Sequence, residues 1–231
     1  WDTIDDRKNP TNGLYLDFHQ DIAGAGGDSH FLRETFDGKY FYPITEDLVG
    51  FFRLQGGNIQ QIGGGSLPLV DNFNLGPTLV RGFAPGGIGA RDVSDPANIA
   101  GNGLGGTTYF GGTAEVQFPL FGLPREIGLK GAVFADAGTL FGYQGQTNFS
   151  SLFGLPNNTP CWAGNSPNTK TPYIQSNCLS LYDPTTIRSS VGASLIWASP
   201  LGPIRIDYAY AITKGKYDQI QQFNFTGGAQ F

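Results

Sequence analysis

Charge is scarce in this chain: Asp, Glu, Lys and Arg make up 14% of its 231 residues, against roughly 25% in ordinary soluble domains. Fourteen basic and nineteen acidic residues leave a formal charge of −5, which speaks against the basic footprint of a nucleic-acid-binding surface. Methionine is absent, and cysteine and histidine occur twice each. His19 and His30 stand on separate segments with no cysteine beside them, so no metal-ligand spacing exists, and no metal or cofactor is expected. Neither histidine has a serine partner in a matching motif, and there is no Gly-x-Ser-x-Gly elbow, which leaves a serine hydrolase without its parts. Also missing is any unbroken apolar run of about 18 residues or more, so a helical membrane protein is excluded.

What the chain has in quantity is glycine (35), proline (15) and aromatic residues (13%). These suit strands and turns rather than helices. The expectation is one all-β domain over residues 1–231, either soluble or of the outer-membrane barrel type. Alternation is strict near the C-terminal end. Ile204, Ile206, Tyr208, Tyr210 and Ile212 share one face, and Arg205, Asp207, Ala209 and Ala211 the other. Phe223, Phe225, Gly227, Ala229 and Phe231 alternate with Asn224, Thr226, Gly228 and Gln230. Ile187, Val191, Ala193, Leu195 and Trp197 oppose Arg188, Ser190, Gly192 and Ser194. Segments 126–142, 106–120, 47–61, 29–43 and 12–23 read as strands less cleanly. In the first, Ile127, Leu129, Val133, Ala135 and Ala137 oppose Lys130, Phe134, Asp136 and Gly138; in the second, Phe110, Ala114, Val116 and Phe118 oppose Tyr109, Thr113, Glu115 and Gln117.

Each of these eight segments is long enough to cross a bilayer at the usual tilt, for which about 9–11 residues suffice. Short turns at 43–47, 120–125 and 199–203 alternate with long loops at 62–105 and 143–185, the habit of outer-membrane barrels. A soluble sandwich alternates as well, but its polar faces carry more Lys and Glu. Here the few charges, among them Lys130, Asp136, Glu115, Arg205 and Asp207, fall on the small-residue faces. Those faces read as a wet lumen and the aromatic faces as lipid-directed, with Trp197, Tyr208 and Tyr210 at headgroup level. Cys161 and Cys178 lie in one polar stretch, and a disulfide formed in an oxidising compartment is the reading preferred over two free thiols. The opening at Trp1, without Met or an apolar leader, reads as a removed export signal or as a piece of something longer.

From Leu79-Val80-Arg81-Gly82-Phe83 onward the sequence resembles the BamA family of outer-membrane protein assembly factors. The resemblance is carried by that motif, by Thr-Ala-Glu-Val-Gln-Phe-Pro (113–119), Val-Phe-Ala-Asp-Ala-Gly (133–138) and Ile-Trp-Ala-Ser-Pro-Leu-Gly-Pro (196–203). Asp-Asn-Phe-Asn-Leu-Gly (71–76) and the terminal Phe-Asn-Phe-Thr-Gly-Gly-Ala-Gln-Phe add to it. The resemblance implies a barrel of roughly sixteen strands behind periplasmic POTRA domains, of which this chain supplies the last eight strands. Open sheet edges cannot persist in lipid. The sheet is therefore expected to pair with the remaining barrel half or a second copy, or to close as a small eight-stranded barrel.

Further expectations follow from the resemblance. The loop bearing Val80, Arg81, Gly82 and Phe83 folds back into the lumen, where Arg81 meets Glu115 and Asp136. From spacing alone Arg81 reads as a surface-loop residue and the two carboxylates as unrelated wall groups. Alternation nonetheless puts both carboxylates on lumen-directed faces of adjacent strands, within reach of one guanidinium fork. Gly82 is then needed for positive φ or close backbone approach. Phe223, Phe225 and Phe231 resemble the C-terminal signal by which such barrels are recognised for assembly. Implied partners are the lipid bilayer, unfolded outer-membrane protein clients and accessory assembly lipoproteins. The implied role is non-enzymatic; the alternatives are a polypeptide secretion pore of the same superfamily and a passive pore formed by the fragment. Asn148 and Asn157 open sequons read as accidental, and the glycine runs at 63–66 and 86–89 lack the strand–helix setting of a phosphate loop.

Overall fold

A computed structural model of the chain describes residues 1–7, 9–24, 26, 29–95, 98, 100–120, 128–153, 156, 178–199 and 202–227. Its strands are β1 (Gly13–Ala23), β2 (Phe31–Pro43), β3 (Val49–Gln61), β4 (Ala90–Asp92), β5 (Asn102–Gly105), β6 (Thr108–Pro119), β7 (Leu129–Phe141), β8 (Leu181–Tyr182), β9 (Arg188–Ser199), β10 (Gly202–Thr213) and β11 (Phe223–Gly227). Eight of them form one antiparallel sheet in the order β1-β2-β3-β6-β7-β9-β10-β11, so neighbours in sequence are neighbours in space. Each of the eight segments read from alternation carries one of these strands. The fold is all-β, and among the described residues no helix is long and apolar enough to cross a membrane.

The sheet wears its polarity inside out. On β10, Ile206, Tyr208, Tyr210 and Ile212 are exposed while Asp207 and Ala209 are buried. On β7, Val133 is half exposed, but Ala132, Phe134 and Asp136 are buried. Phe18, Phe52, Leu54, Phe110, Phe223 and Phe225 continue the exposed apolar surface across the other strands. A water-soluble sheet buries its apolar set; this one suits a hydrocarbon exterior around a polar interior.

The interior is filled from above by the chain's own loops. Leu79, Val80, Phe83 and Ile88 from the segment between β3 and β4 pack with Leu140 of β7 into a buried cluster. Leu67 joins Phe31 and Ile59 in a second one. The two long loops are knitted together by a small sheet of order β5-β4-β8, in which Arg91 lies opposite Tyr182. Alternation does not reveal β4, β5 and β8, because they are too short for a period to show and β8 is remote in sequence from its partner β4. At the opposite rim Trp1–Thr3 returns along the β1 edge: Leu16 N–H donates to Trp1 O at 2.8 Å, and Thr3 N–H to Leu14 O at 2.9 Å. Below the loops remains a cavity of about 770 Å³ lined by Asp37, Lys39, Arg53, Gln117, Lys130 and Thr226, among others.

Gly192 shows how closely the wall and its contents fit. It faces Phe134 across the β7–β9 pair, and a Cβ added there would stand 2.5 Å from the Phe134 ring and 2.2 Å from Tyr208 O. Gly192→Val is therefore expected to destabilise the folded barrel by about 1–3 kcal/mol through overpacking. Gly56→Ala, whose added Cβ meets nothing nearer than 3.5 Å, serves as the tolerated control. Thermal unfolding in detergent checks both; equal midpoints for the two variants would contradict this packing.

Candidate functional site

The loop between β3 and β4 enters the lumen through a tight turn, in which Leu79 and Val80 N–H both donate to Gly76 O at 3.0 Å. The turn delivers Arg81 to the inner wall. Its Nε donates to Asp136 Oδ2 at 2.7 Å and its Nη2 to Asp136 Oδ1 at 2.7 Å, a two-toothed fork. The Arg81 backbone N–H donates to Asp136 Oδ2 as well, at 3.0 Å. Nη1 reaches the adjacent strand and donates to Glu115 Oε2 at 2.8 Å. The flat guanidinium rests on the Phe134 ring, 3.4 Å from its centroid. Gly192 leaves the room in which that ring lies.

Glycine is required directly after Arg81. Gly82 has φ +94°, and a Cβ there would press against Ala209 Cβ at 3.2 Å. Val80 and Phe83, on either side, are fully buried. The motif thus divides its work: Val80 and Phe83 wedge the loop into apolar packing, Gly82 lets the backbone meet β10, and Arg81 carries the charge.

A second guanidinium shares the wall carboxylate. Arg205 of β10 forks onto Glu115, with Nη1 to Oε1 at 3.1 Å and Nη2 to Oε2 at 2.6 Å. Its Nε donates to Asp207 Oδ1 at 2.7 Å, and Nη2 also donates to Ser194 Oγ at 2.7 Å. Asp207 accepts from Ser194 Oγ too, and lies 3.8 Å from Arg81 Nη1. Two guanidiniums therefore face three carboxylates, and the Glu115 side chain is fully buried. The network ties β6, β7, β9 and β10 to the loop across the lumen. The sequence reading put Arg205 and Asp207 on the lumen face but did not join them to Arg81. Their parity on β10 is the available signal; the reach of Arg205 across the lumen to Glu115 of β6 is not.

A further buried pair closes the loop end. Arg188, the first residue of β9, forks onto Asp218 with Nε–Oδ2 at 2.9 Å and Nη2–Oδ1 at 3.0 Å. Its Nη1 donates to Thr186 O and Leu140 O. Beside this pair Arg91 donates to Gly86 O at 2.9 Å and Gly101 O at 3.3 Å. Burial lowers the pKa of Arg91; Asp218 opposes that effect and Arg188 adds to it. Among the described residues no cluster of His, Cys, Asp and Glu could hold a metal ion.

Of the remaining sequence-level candidates, Phe223 and Phe225 sit exposed on β11, whereas Phe231 lies outside the described residues. Cys161 lies outside them too, and with it the expected Cys161–Cys178 pairing.

The model of the Omp85 superfamily domain matches residues 1–231. The chain belongs to the Omp85 superfamily. Within it, the chain is 33% identical over 217 residues to the outer membrane protein assembly factor BamA of Neorickettsia risticii, covering 94% of this chain and 24% of that protein. It is 28% identical over 230 residues to the BamA of Neisseria meningitidis serogroup B, covering 96% and 26%. This Omp85 chain thus spans about a quarter of the length of the curated relatives it matches. The crystal structure of BamA from Haemophilus ducreyi lacking POTRA domains 1-3 superposes with a TM-score of 0.71 at 20% identity, over 96% of this chain and 39% of that one. The resemblance read from the motifs, to the barrel region of BamA proteins, is borne out, and so is the fold class.

Removing one member of a buried, mutually neutralising set leaves its partners charged without compensation, at about 3–5 kcal/mol. Arg81→Ala and Arg205→Ala are each expected to lower barrel stability on that scale. Either single variant leaves Glu115 one guanidinium and the double variant leaves it none, so the double variant is expected to lose more than the sum of the two. Unfolding in detergent checks this, and strictly additive losses would contradict the shared carboxylate.

Proposed function

We propose that this chain is the C-terminal barrel region of a longer bacterial outer-membrane protein that folds and inserts other outer-membrane proteins, without covalent catalysis. The observation that carries this reading is a sheet with an apolar outer face and a polar inner wall, on which the Arg81 loop is anchored through Asp136 and Glu115. Assembly of a client barrel then proceeds by addition of an extended chain to a sheet edge, β-augmentation.

The apolar exterior supports the bilayer as solvent for residues 1–231, read as one barrel domain with long loops at 62–105 and 143–185. The family membership and the BamA relatives support the assembly role, with unfolded outer-membrane proteins as clients and accessory lipoproteins as partners. In the longer protein the sheet is completed by the remaining strands of the barrel. Arg81, with Glu115 and Asp136, acts as the anchor of the lumen loop rather than as a reacting group, since each charge is already neutralised by its neighbours. The buried loop cluster of Leu79, Val80, Phe83 and Ile88 occupies the space a passive pore would need open.

The test is reconstitution of the full-length protein in liposomes with an unfolded outer-membrane barrel as client, followed by protease protection. Client insertion is expected to run several-fold faster than into protein-free liposomes. Equal rates, together with steady ion conductance in planar bilayers, would replace this reading with a passive pore.

A further inference from the structure

Among the described residues, the outward face of the eight-stranded sheet carries one charged side chain, Glu34 of β2. It shares that face with Phe36 and Tyr40, both exposed. Arg33, next to it in sequence, turns inward and donates to Asp71 O at 2.8 Å. β2 is paired with β1 over Phe31–Phe41 and with β3 over its whole length, so this position is complete within the chain. An ionisable group on a lipid-facing wall is costly and calls for a partner.

The registers place Gln20 of β1, Glu34, Asn58 of β3 and Thr108 of β6 directly opposite one another, in one polar row across four strands. Gln20 Nε2 donates to Glu34 Oε1 at 2.8 Å, and Asn58 Nδ2 to Thr108 Oγ1 at 2.7 Å. The row is short of donors and of positive charge. Asn58 Oδ1 is enclosed without a hydrogen-bond partner. Among the described residues no Arg, Lys or His forms an ion pair with Glu34.

Its height suits a lipid headgroup. From Glu34 to Tyr42, beside the short turn, β2 runs about 26 Å, which is about 20 Å of height at the usual tilt, against an apolar band of roughly 25 Å. With Tyr42 exposed at the inner interface, Glu34 stands where the headgroups of the outer leaflet begin. On the membrane side of the row the wall has a slot. Gly56 lies directly between Phe36 and Phe110 in register. Both rings are exposed, and a Cβ on Gly56 would meet nothing nearer than 3.5 Å.

We propose that this face is a site for an aminophospholipid of the outer leaflet: its ammonium binds the Glu34 carboxylate beside Gln20, and one acyl chain lies over Gly56 between the two rings. An ammonium brings a positive charge and three N–H donors, which is what the row lacks. Carboxylate and slot adjoin, one at headgroup level and the other in the hydrocarbon, so a single lipid spans both. The proposal goes beyond the assembly reading and is tested without a client.

Native mass spectrometry of the full-length protein, mixed in detergent with equal amounts of phosphatidylethanolamine and phosphatidylcholine of identical acyl chains, reads it directly. The two headgroups carry the same charge, but methyl groups replace the N–H donors in choline. The most strongly held lipid is expected to be the ethanolamine one, by about tenfold. Glu34→Gln keeps the side chain's shape and an oxygen for Gln20, and is expected to abolish that preference. Gly56→Leu, which fills the slot, is expected to lower retention of both lipids several-fold. Equal retention of the two lipids by the parent, or an undiminished preference in Glu34→Gln, would overturn the proposal. So would parent-like retention in Gly56→Leu. A preference that needs added magnesium and vanishes on chelation would put a divalent cation on Glu34 in place of the ammonium, and would overturn it as well.

Discussion

A guanidinium carried into the interior of a barrel must find carboxylates there or remain in water. Arg81 finds two on neighbouring strands, with Asp136 engaging both its side chain and its backbone N–H and Glu115 taking the remaining tooth of the fork. Everything else in the lumen is arranged around that contact. Phe134 lies flat beneath the charge because Gly192 leaves space for it, and Gly82 brings the loop against Ala209 because it has no side chain of its own. Arg205 then draws β10 into the same set through Glu115. Such a network adds little net stability compared with an apolar core, but it is intolerant of losing a member. That intolerance makes it a device for holding one arrangement rather than many.

The arrangement it holds links the interior to the rim of the sheet. The loop that Arg81 pins on the wall is the same loop that lies along the lead-in to β11. Gln219 and Gln221, which pair with that loop, precede β11, whose own residues Phe223–Gly227 pair with Ile204–Tyr208 of β10.

Much of this was legible in the sequence because a bilayer enforces parity. A strand with lipid on one face and a polar lumen on the other must alternate, and Ile204–Ile212 does so without interruption. The same parity put Glu115, Asp136, Arg205 and Asp207 on the inner wall before any coordinates. Which of them touch was not legible, since the Arg205–Glu115 contact joins residues ninety positions apart across a curvature that alternation does not encode. Arg188 with Asp218 escaped for a related reason: one partner ends a strand and the other sits in a loop with no period. The loop strands β4, β5 and β8 are Gly-rich or too short to carry a pattern, and only their pairing with each other defines them. The pairing of the lumen loop with Gln219 and Gln221 uses backbone groups alone, which side-chain patterns do not report.

The central claim is that Arg81 and Asp136 act as one unit inside the barrel. A double-mutant cycle of Arg81→Ala and Asp136→Ala, read by equilibrium unfolding of the full-length protein in detergent, measures it directly. Two residues sharing a buried fork are expected to show a coupling of about 2 kcal/mol or more, the second substitution costing far less once the first is made. A coupling near zero, with the two losses simply adding, would contradict the account.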